Sequence, residues 1–324
     1  MSFWKGKTCL VTGATGFLGG SLVARLLDEG AEVVALVRDM VPQSRFHAGD
    51  LAARAKVVRG QLEDYELIER AINEYAVDTV FHLAAQAIVG VANRNPMSTF
   101  ESNIKGTWVL LEACRRVPTI ERVIVASSDK AYGDHDMLPY QEDFALQGRH
   151  PYDVSKSCAD LIALSYATTY KLPVSITRCG NLFGPGDLNV NRIVPGTCLS
   201  IVDGERPVIR SDGSPVRDYV FVEDIVSGYL KLGEHMGDDA VVGRAFNFGT
   251  GDPVSALDLV RRILAGSARA DLEPIVLNNA HGEIQAQYLS SALAADKLGW
   301  TPAAGLDERL TQTFDWYREN RHFF

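Results

Sequence analysis

Residues 8–19 read TCLVTGATGFLG. Thr8–Thr12 is a short, mostly apolar run of strand length, and an amphipathic helical pattern continues from Phe17 to about Glu29. Gly13, Gly16 and Gly19 fall between strand and helix. Glycines at that spacing allow a tight turn and a close approach of backbone amides to a pyrophosphate, whose charge the helix N-terminus stabilises. Gly13, Thr15, Gly16, Phe17, Leu18 and Gly19 are therefore candidate dinucleotide contacts. A second strand pattern over 32–37 completes a βαβ opening.

The end of that second strand should carry the group that meets the adenosine ribose. It reads Leu36-Val37-Arg38-Asp39, with Val37 where an acidic residue is expected for NAD. Arg38 can face a 2′-phosphate, with Arg45 as a second cation, which leans toward NADP. The other reading makes Arg38 a solvated strand end and gives the ribose to Asp39. Both stay open on sequence alone.

Further strands are expected at 56–60, 79–85, 121–126 and 172–179, with long helices at 97–116 and Pro151–Tyr170. The alternation predicts an α/β fold, a Rossmann-like doubly wound parallel sheet of about seven strands. After Cys179 the chain becomes rich in Gly, Asn and Pro, and 205–218 reads as two short strands around a turn. We therefore divide it into a dinucleotide-binding part, 1–179 with 219–249 returning to it, and a smaller mixed substrate lobe, 180–218 and 250–324. The chain closes on an amphipathic helix over 306–318.

The chemistry concentrates in residues 127–156, SSDKAYGDHDMLPYQEDFALQGRHPYDVSK. Tyr152 and Lys156 are four apart, so on a helix they share one face. A phenol of pKa about 10 is a poor base at neutral pH, and a neighbouring ammonium should lower it. Ser128 can hold a substrate oxygen against that phenol. Asp129 and Lys130 add an acid and a base at the carboxyl end of the 121–126 strand, where ligands of open parallel sheets bind. The bland reading of the same two residues is an exposed ion pair on a loop.

The segments SSDKAY, YDVSKSCAD and GNLFGPGDLNVNRIVP resemble the extended short-chain dehydrogenase/reductases, the nucleotide-sugar epimerases and dehydratases, and within them the CDP-glucose 4,6-dehydratase group. The resemblance covers nearly the whole chain. It implies a tightly bound NAD or NADP, regenerated in each turnover, and a nucleoside diphosphate hexose as substrate. It implies catalytic roles for Ser128, Asp129, Lys130, Tyr152 and Lys156. Gln61 and Leu62 stand at the adenine, with Gln61 where the family usually has an aspartate. Leu83, Ala84 and Ala85 run under the cofactor, with Gln86 at the substrate, and Asn103 is similar to a buried asparagine that steadies the site. Asn181, Arg192 and Arg217 meet the nucleotide diphosphate. Many relatives also carry an arginine near Gln285, within 283–287, and this chain has none. His82 we read as a hydrogen-bonded core residue.

A 4,6-dehydratase is the expected activity, because Asp129 and Lys130 supply the proton transfers that loss of water requires. A 4-epimerase is the alternative, and a non-catalytic dinucleotide-binding regulator the third. The resemblance also implies a homodimer through 97–116 and Pro151–Tyr170, whose Val109, Leu110, Leu161, Ile162 and Leu164 put apolar positions on more than one face.

Composition agrees with that class. The 324 residues are 46% hydrophobic and 23% charged, with a net charge of −9 and no basic cluster, which argues against a nucleic-acid partner. Five dispersed cysteines without a C-x-x-C pair suggest reduced thiols and no metal site. A strand pattern beginning near Lys7 and no long apolar run suggest a cytoplasmic protein with neither signal peptide nor membrane span.

Overall fold

The computed structural model describes residues 2–269, 271–279 and 284–324. Six parallel strands form in chain order: β1 (Thr8–Thr12), β2 (Glu32–Val37), β3 (Lys56–Arg59), β4 (Thr79–His82), β5 (Arg122–Ala126) and β6 (Val174–Cys179). A seventh, Ala245–Phe248, returns to pair with β6, and the sheet runs Ala245–Phe248, β6, β5, β4, β1, β2, β3. The strand order reverses at β1, so the carboxyl ends of β1, β4 and β5 open a crevice on one edge. The expected doubly wound parallel sheet of seven strands is what the chain forms.

Helices cover both faces because the strands are apolar on both sides. The helix after β1, α1 (Phe17–Asp28), buries Leu22, Val23 and Leu26 against Val11, Val33 and Phe81. Each such burial contributes about 1.5–3 kcal/mol. The opposite face packs Leu110, Leu111 and Cys114 on Leu10, Val80 and Val123. A further apolar cluster joins the helices Ile193–Val202, Ala256–Gly266 and Leu306–Glu319.

Several boundaries differ from the sequence reading for identifiable reasons. β4 stops at His82 because the amides of Leu83 and Ala84 both turn to Thr12 Oγ1, at 3.1 Å each. The helix expected over 97–116 starts at Pro96 and carries a π-turn at Glu101–Lys105. The two strands expected within 205–218 form but do not pair with each other. Val208–Ile209 pairs with Ile275–Val276, and Val216–Arg217 with Val254–Ser255 and Ala286–Gln287. The 180–195 stretch is less irregular than expected, since Asn181–Phe183 pairs with Tyr219–Phe221.

The apolar positions proposed for a dimer face also need correction. Val109 and Leu110 are buried in the core, and Ile162 and Leu164 pack partly against it. Leu161 alone of the five is exposed, and the other large apolar side chains exposed on these helices include Met97, Phe100 and Trp108.

Candidate active site

The turn after β1 has little room for side chains. Gly13 lies at φ +74°, and a Cβ there would sit 2.8 Å from the Ala84 amide nitrogen. A Cβ on Gly19 would fall 2.0 Å from the Gly13 carbonyl oxygen, so helix and turn touch backbone to backbone. Gly16 begins α1 with no side-chain cap, and the first turn contains no acidic residue. The first amides of a helix have no partner within it. This end therefore suits an anion such as a dinucleotide pyrophosphate.

Beyond the turn, Val37 is buried and Arg38 is exposed, its Nε donating to Asp39 Oδ2 at 2.7 Å. Arg45 does not point free: it donates to Ser21 Oγ (3.0 Å) and Glu223 Oε1 (2.9 Å). Gln61 is exposed after β3, whereas Leu62 is buried where Gly106 leaves space for its methyl groups.

His82 is buried between Thr12 Oγ1 and Thr107 Oγ1, 2.9 Å from each, and burial pushes its pKa down to about 3. Thr107 already donates to the Asn103 carbonyl, and Thr12 already accepts two amides. A neutral ring protonated on Nε2 satisfies both hydroxyls, which confirms a structural histidine. Asn103 lies within the π-turn. Its Oδ1 accepts the Gln86 amide (2.7 Å), and its Nδ2 donates to the Gln86 carbonyl and to Ser155 Oγ (2.9 Å). Ser155 in turn donates to the Tyr152 carbonyl (2.7 Å), so Asn103 ties the strand leaving β4 to the Tyr152 helix.

The end of β5 carries the densest polar cluster. Ser128 caps a 3₁₀ turn, Asp129–Tyr132, and its Oγ donates to Asp129 Oδ1 at 2.9 Å. Asp129 is 2% exposed. Lys130 Nζ donates to Asp129 Oδ2 (2.8 Å), Gln287 Oε1 (2.5 Å) and Asn181 Oδ1 (3.5 Å). The two side chains thus form a packed ion pair and not an exposed one on a solvated loop.

Tyr152 is half-buried in the first turn of the Pro151–Tyr170 helix. Burial pushes its phenol up to about 12; the Ser128 hydroxyl and Arg192 work the other way, and Asp129 adds to the rise. The expected lowering by Lys156 is not what this arrangement gives. Lys156 Nζ donates to the Ala126 carbonyl at 2.7 Å, and burial pushes its own pKa down to about 8.

The substrate-side residues lie on three separate elements. Asn181 reaches Lys130, and Arg192 begins the Ile193–Val202 helix paired with Asp187 at 2.9 Å. Arg217 donates to the Val216 carbonyl and is register partner of Gln287. Gln285 donates to Ser214 Oγ; Glu283 lies outside the described residues.

Sequence reasoning missed Gln287, which is fully buried. It also missed the buried Arg178–Asp160 pair (2.8 and 2.9 Å), from which Arg178 donates to the Tyr132 hydroxyl at the end of the 3₁₀ turn. A charged residue inside the apolar run of β6 was the available signal for Arg178. Among the described residues no group of three or more His, Cys, Asp and Glu side chains is placed to hold a metal ion, and no helix is long and apolar enough to cross a membrane.

Comparison with known proteins agrees with this geometry. Residues 9–249 match the NAD dependent epimerase/dehydratase family. CDP-glucose 4,6-dehydratase of Salmonella typhimurium is 30% identical, over 98% of this chain and 92% of that one. The chain spans 48% of the length of a trifunctional UDP-glucose 4,6-dehydratase, epimerase and reductase of Arabidopsis thaliana, to which it is 29% identical over 99% of its own. Among solved structures, UDP-glucose 4-epimerase of Thermotoga maritima superposes with a TM-score of 0.88 at 28% identity, covering 97% of this chain and 99% of that one. The dTDP-glucose 4,6-dehydratase of Bacillus anthracis, in complex with NAD, gives 0.87 at 25%, covering 98% and 99%.

Proposed function

This chain belongs to the NAD dependent epimerase/dehydratase family of extended short-chain dehydrogenase/reductases, and we propose that it acts as a nucleoside-diphosphate-hexose 4,6-dehydratase. The observation that carries this reading is the buried Asp129 carboxylate held 2.8 Å from Lys130 Nζ beside Tyr152. Gly13, Thr15, Gly16, Phe17, Leu18 and Gly19 would hold a nicotinamide dinucleotide, which supplies a hydride acceptor and donor regenerated at each turnover.

Ser128 holds the oxygen on carbon 4, and Tyr152 takes the proton of that hydroxyl as the carbon is oxidised. The ketone acidifies the hydrogen on carbon 5. Elimination then needs a base for that hydrogen and an acid for the hydroxyl on carbon 6. The ion pair becomes both when one proton passes from Lys130 Nζ to the Asp129 carboxylate, leaving an amine and a carboxylic acid in contact. Lys130 takes the carbon-5 proton, and Asp129 gives its proton to the departing hydroxyl, which leaves as water. Lys130 then gives that proton back to carbon 5 as a bound dinucleotide would return the hydride to carbon 6, and the proton that Tyr152 took from the carbon-4 hydroxyl restores the ammonium, so the net change is the loss of one water.

Incubation with a panel of nucleoside diphosphate hexoses is expected to yield a 4-keto-6-deoxy sugar, detected by mass spectrometry as loss of water. Inversion at carbon 4 without that loss would replace the dehydratase by the 4-epimerase.

We further propose that NADP binds more tightly than NAD, through Arg38. Its exposed pair with Asp39 is of a kind worth about 0–1 kcal/mol, less than the roughly 1.5–3 kcal/mol of a charge-assisted contact with a 2′-phosphate. In equilibrium titrations Arg38→Ala is expected to weaken NADP about tenfold or more and to leave NAD unchanged. Equal affinities in the parent protein would make Arg38 only a surface cation.

Finally, we propose a homodimer in which Met97, Phe100, Trp108 and Leu161 cover one another across two neighbouring helices. Sedimentation at micromolar concentration is expected to give a dimer mass, and Trp108→Glu with Leu161→Glu a folded monomer. A monomeric parent would count against the interface.

A further inference from the structure

We propose that Gln287 is a positioning residue for elimination, setting the geometry of the Asp129–Lys130 pair from the carboxyl-terminal part of the chain. This rests on the dehydratase reading. Gln287 is fully buried on the two-residue strand Ala286–Gln287. Its Oε1 accepts from Lys130 Nζ, while its Nε2 donates to the carbonyls of Asp129 (3.1 Å) and Gly133 (3.4 Å). Those two carbonyls lie at the start and just past the end of the 3₁₀ turn that presents the pair.

One amide therefore does three jobs, and only one orientation serves them. Flipped, its NH₂ would face the ammonium and its oxygen would face two carbonyls, three repulsive contacts in place of three hydrogen bonds. The far end of the turn is held as well, because the Gln147 amide donates to the carbonyls of Ala131 (3.1 Å) and Tyr132 (3.3 Å). Gly133 lies at φ +71°, and any Cβ there would come 2.3 Å from the Gln147 carbonyl oxygen. Lys130 thus cannot choose its direction by moving the turn; its Nζ is held between the Asp129 carboxylate and the Gln287 oxygen. The neutrality of Gln287 matters too. A carboxylate there would place a second negative charge on the ammonium and oppose the amine form that removes a proton.

Arg217 lies opposite Gln287 in the same short ladder. The small sheet that carries a proposed diphosphate contact therefore also aims the elimination base.

The test is a quenched single turnover of the full-length enzyme with the accepted nucleoside diphosphate hexose, separating the 4-keto-6-hydroxy sugar from the 4-keto-6-deoxy sugar. Gln287→Leu is near-isosteric and removes all three hydrogen bonds. Gln287→Glu keeps the acceptor and the shape. Both are expected to slow elimination by about 10²-fold, the scale of a misplaced group, with oxidation and KM within about twofold of the parent. The ratio of 4-keto-6-hydroxy to 4-keto-6-deoxy sugar should then rise at least about tenfold. Should Gln287→Leu fail to fold, Gln287→Glu alone decides. Oxidation and elimination falling together, or elimination at the parental rate, overturns the assignment while leaving the dehydratase reading intact. A parent enzyme that forms no 4-keto-6-deoxy sugar overturns both.

Discussion

Tyr152→Phe is expected to stop turnover at the first step, with kcat reduced by at least about 10²–10⁴ and no keto sugar of either kind formed. The size of the effect follows from where the phenol sits. Burial pushes it up to about 12, with the Ser128 hydroxyl and Arg192 pulling the other way, so the phenol depends on its neighbours to act as a base. As phenolate, Tyr152 takes the carbon-4 hydroxyl proton while the carbon-4 bond to hydrogen breaks, with Ser128 keeping donor and acceptor in line. Phenylalanine preserves the ring volume, so melting temperature and dinucleotide affinity should stay near parental while chemistry disappears. Lys156, down at about 8 through burial, is charged below that value. Whatever its ammonium contributes should fade as pH rises through it, giving kcat an alkaline limb. Parental turnover in Tyr152→Phe would remove the phenol from the mechanism.

The second large effect is expected at Asp129 and Lys130. Asn at 129 can neither accept the proton of Lys130 nor give one to a leaving hydroxyl, so one substitution removes both members of the couple. Asp129→Asn, Lys130→Ala and the double variant should therefore slow elimination by similar factors, each about 10²–10⁴, and should not multiply together. Non-additivity of this kind marks groups that act as a unit. Oxidation at carbon 4 should proceed in all three, leaving a 4-keto sugar that keeps its 6-hydroxyl, seen by mass spectrometry after quenching. Single variants that lose water at the parental rate would sink the dehydratase reading and favour the epimerase. Effects that multiply would show two independent groups and no shared proton.

What the sequence carried and what it hid can be traced to particular residues. The strand–glycine–helix opening at 8–19 was legible because backbone conformation dictates glycine there, and the parallel sheet followed from alternation. Ser128 to Lys130 and Tyr152 to Lys156 were legible because each set sits within one turn of chain. Gln287 was not. It stands on a strand of two residues with no periodicity, and its partners lie more than 150 positions away. The electrostatics of Tyr152 were hidden for another reason: burial, which dominates the phenol, is a property of the assembled fold. Which apolar side chains of the two helices stay exposed was hidden too, because Val109 and Leu110 are buried only by the packing of the assembled fold.

The seventh strand has one further consequence, for biosynthesis. β6 is buried along its whole length, but its outer partner, Ala245–Phe248, is translated only after the whole excursion from 180 to 244. Until it emerges, the nascent chain presents β6 as an open edge with a free row of backbone donors and acceptors of the kind that recruits other chains. The length of the excursion from 180 to 244 thus sets how long that edge stays open while the chain is still on the ribosome.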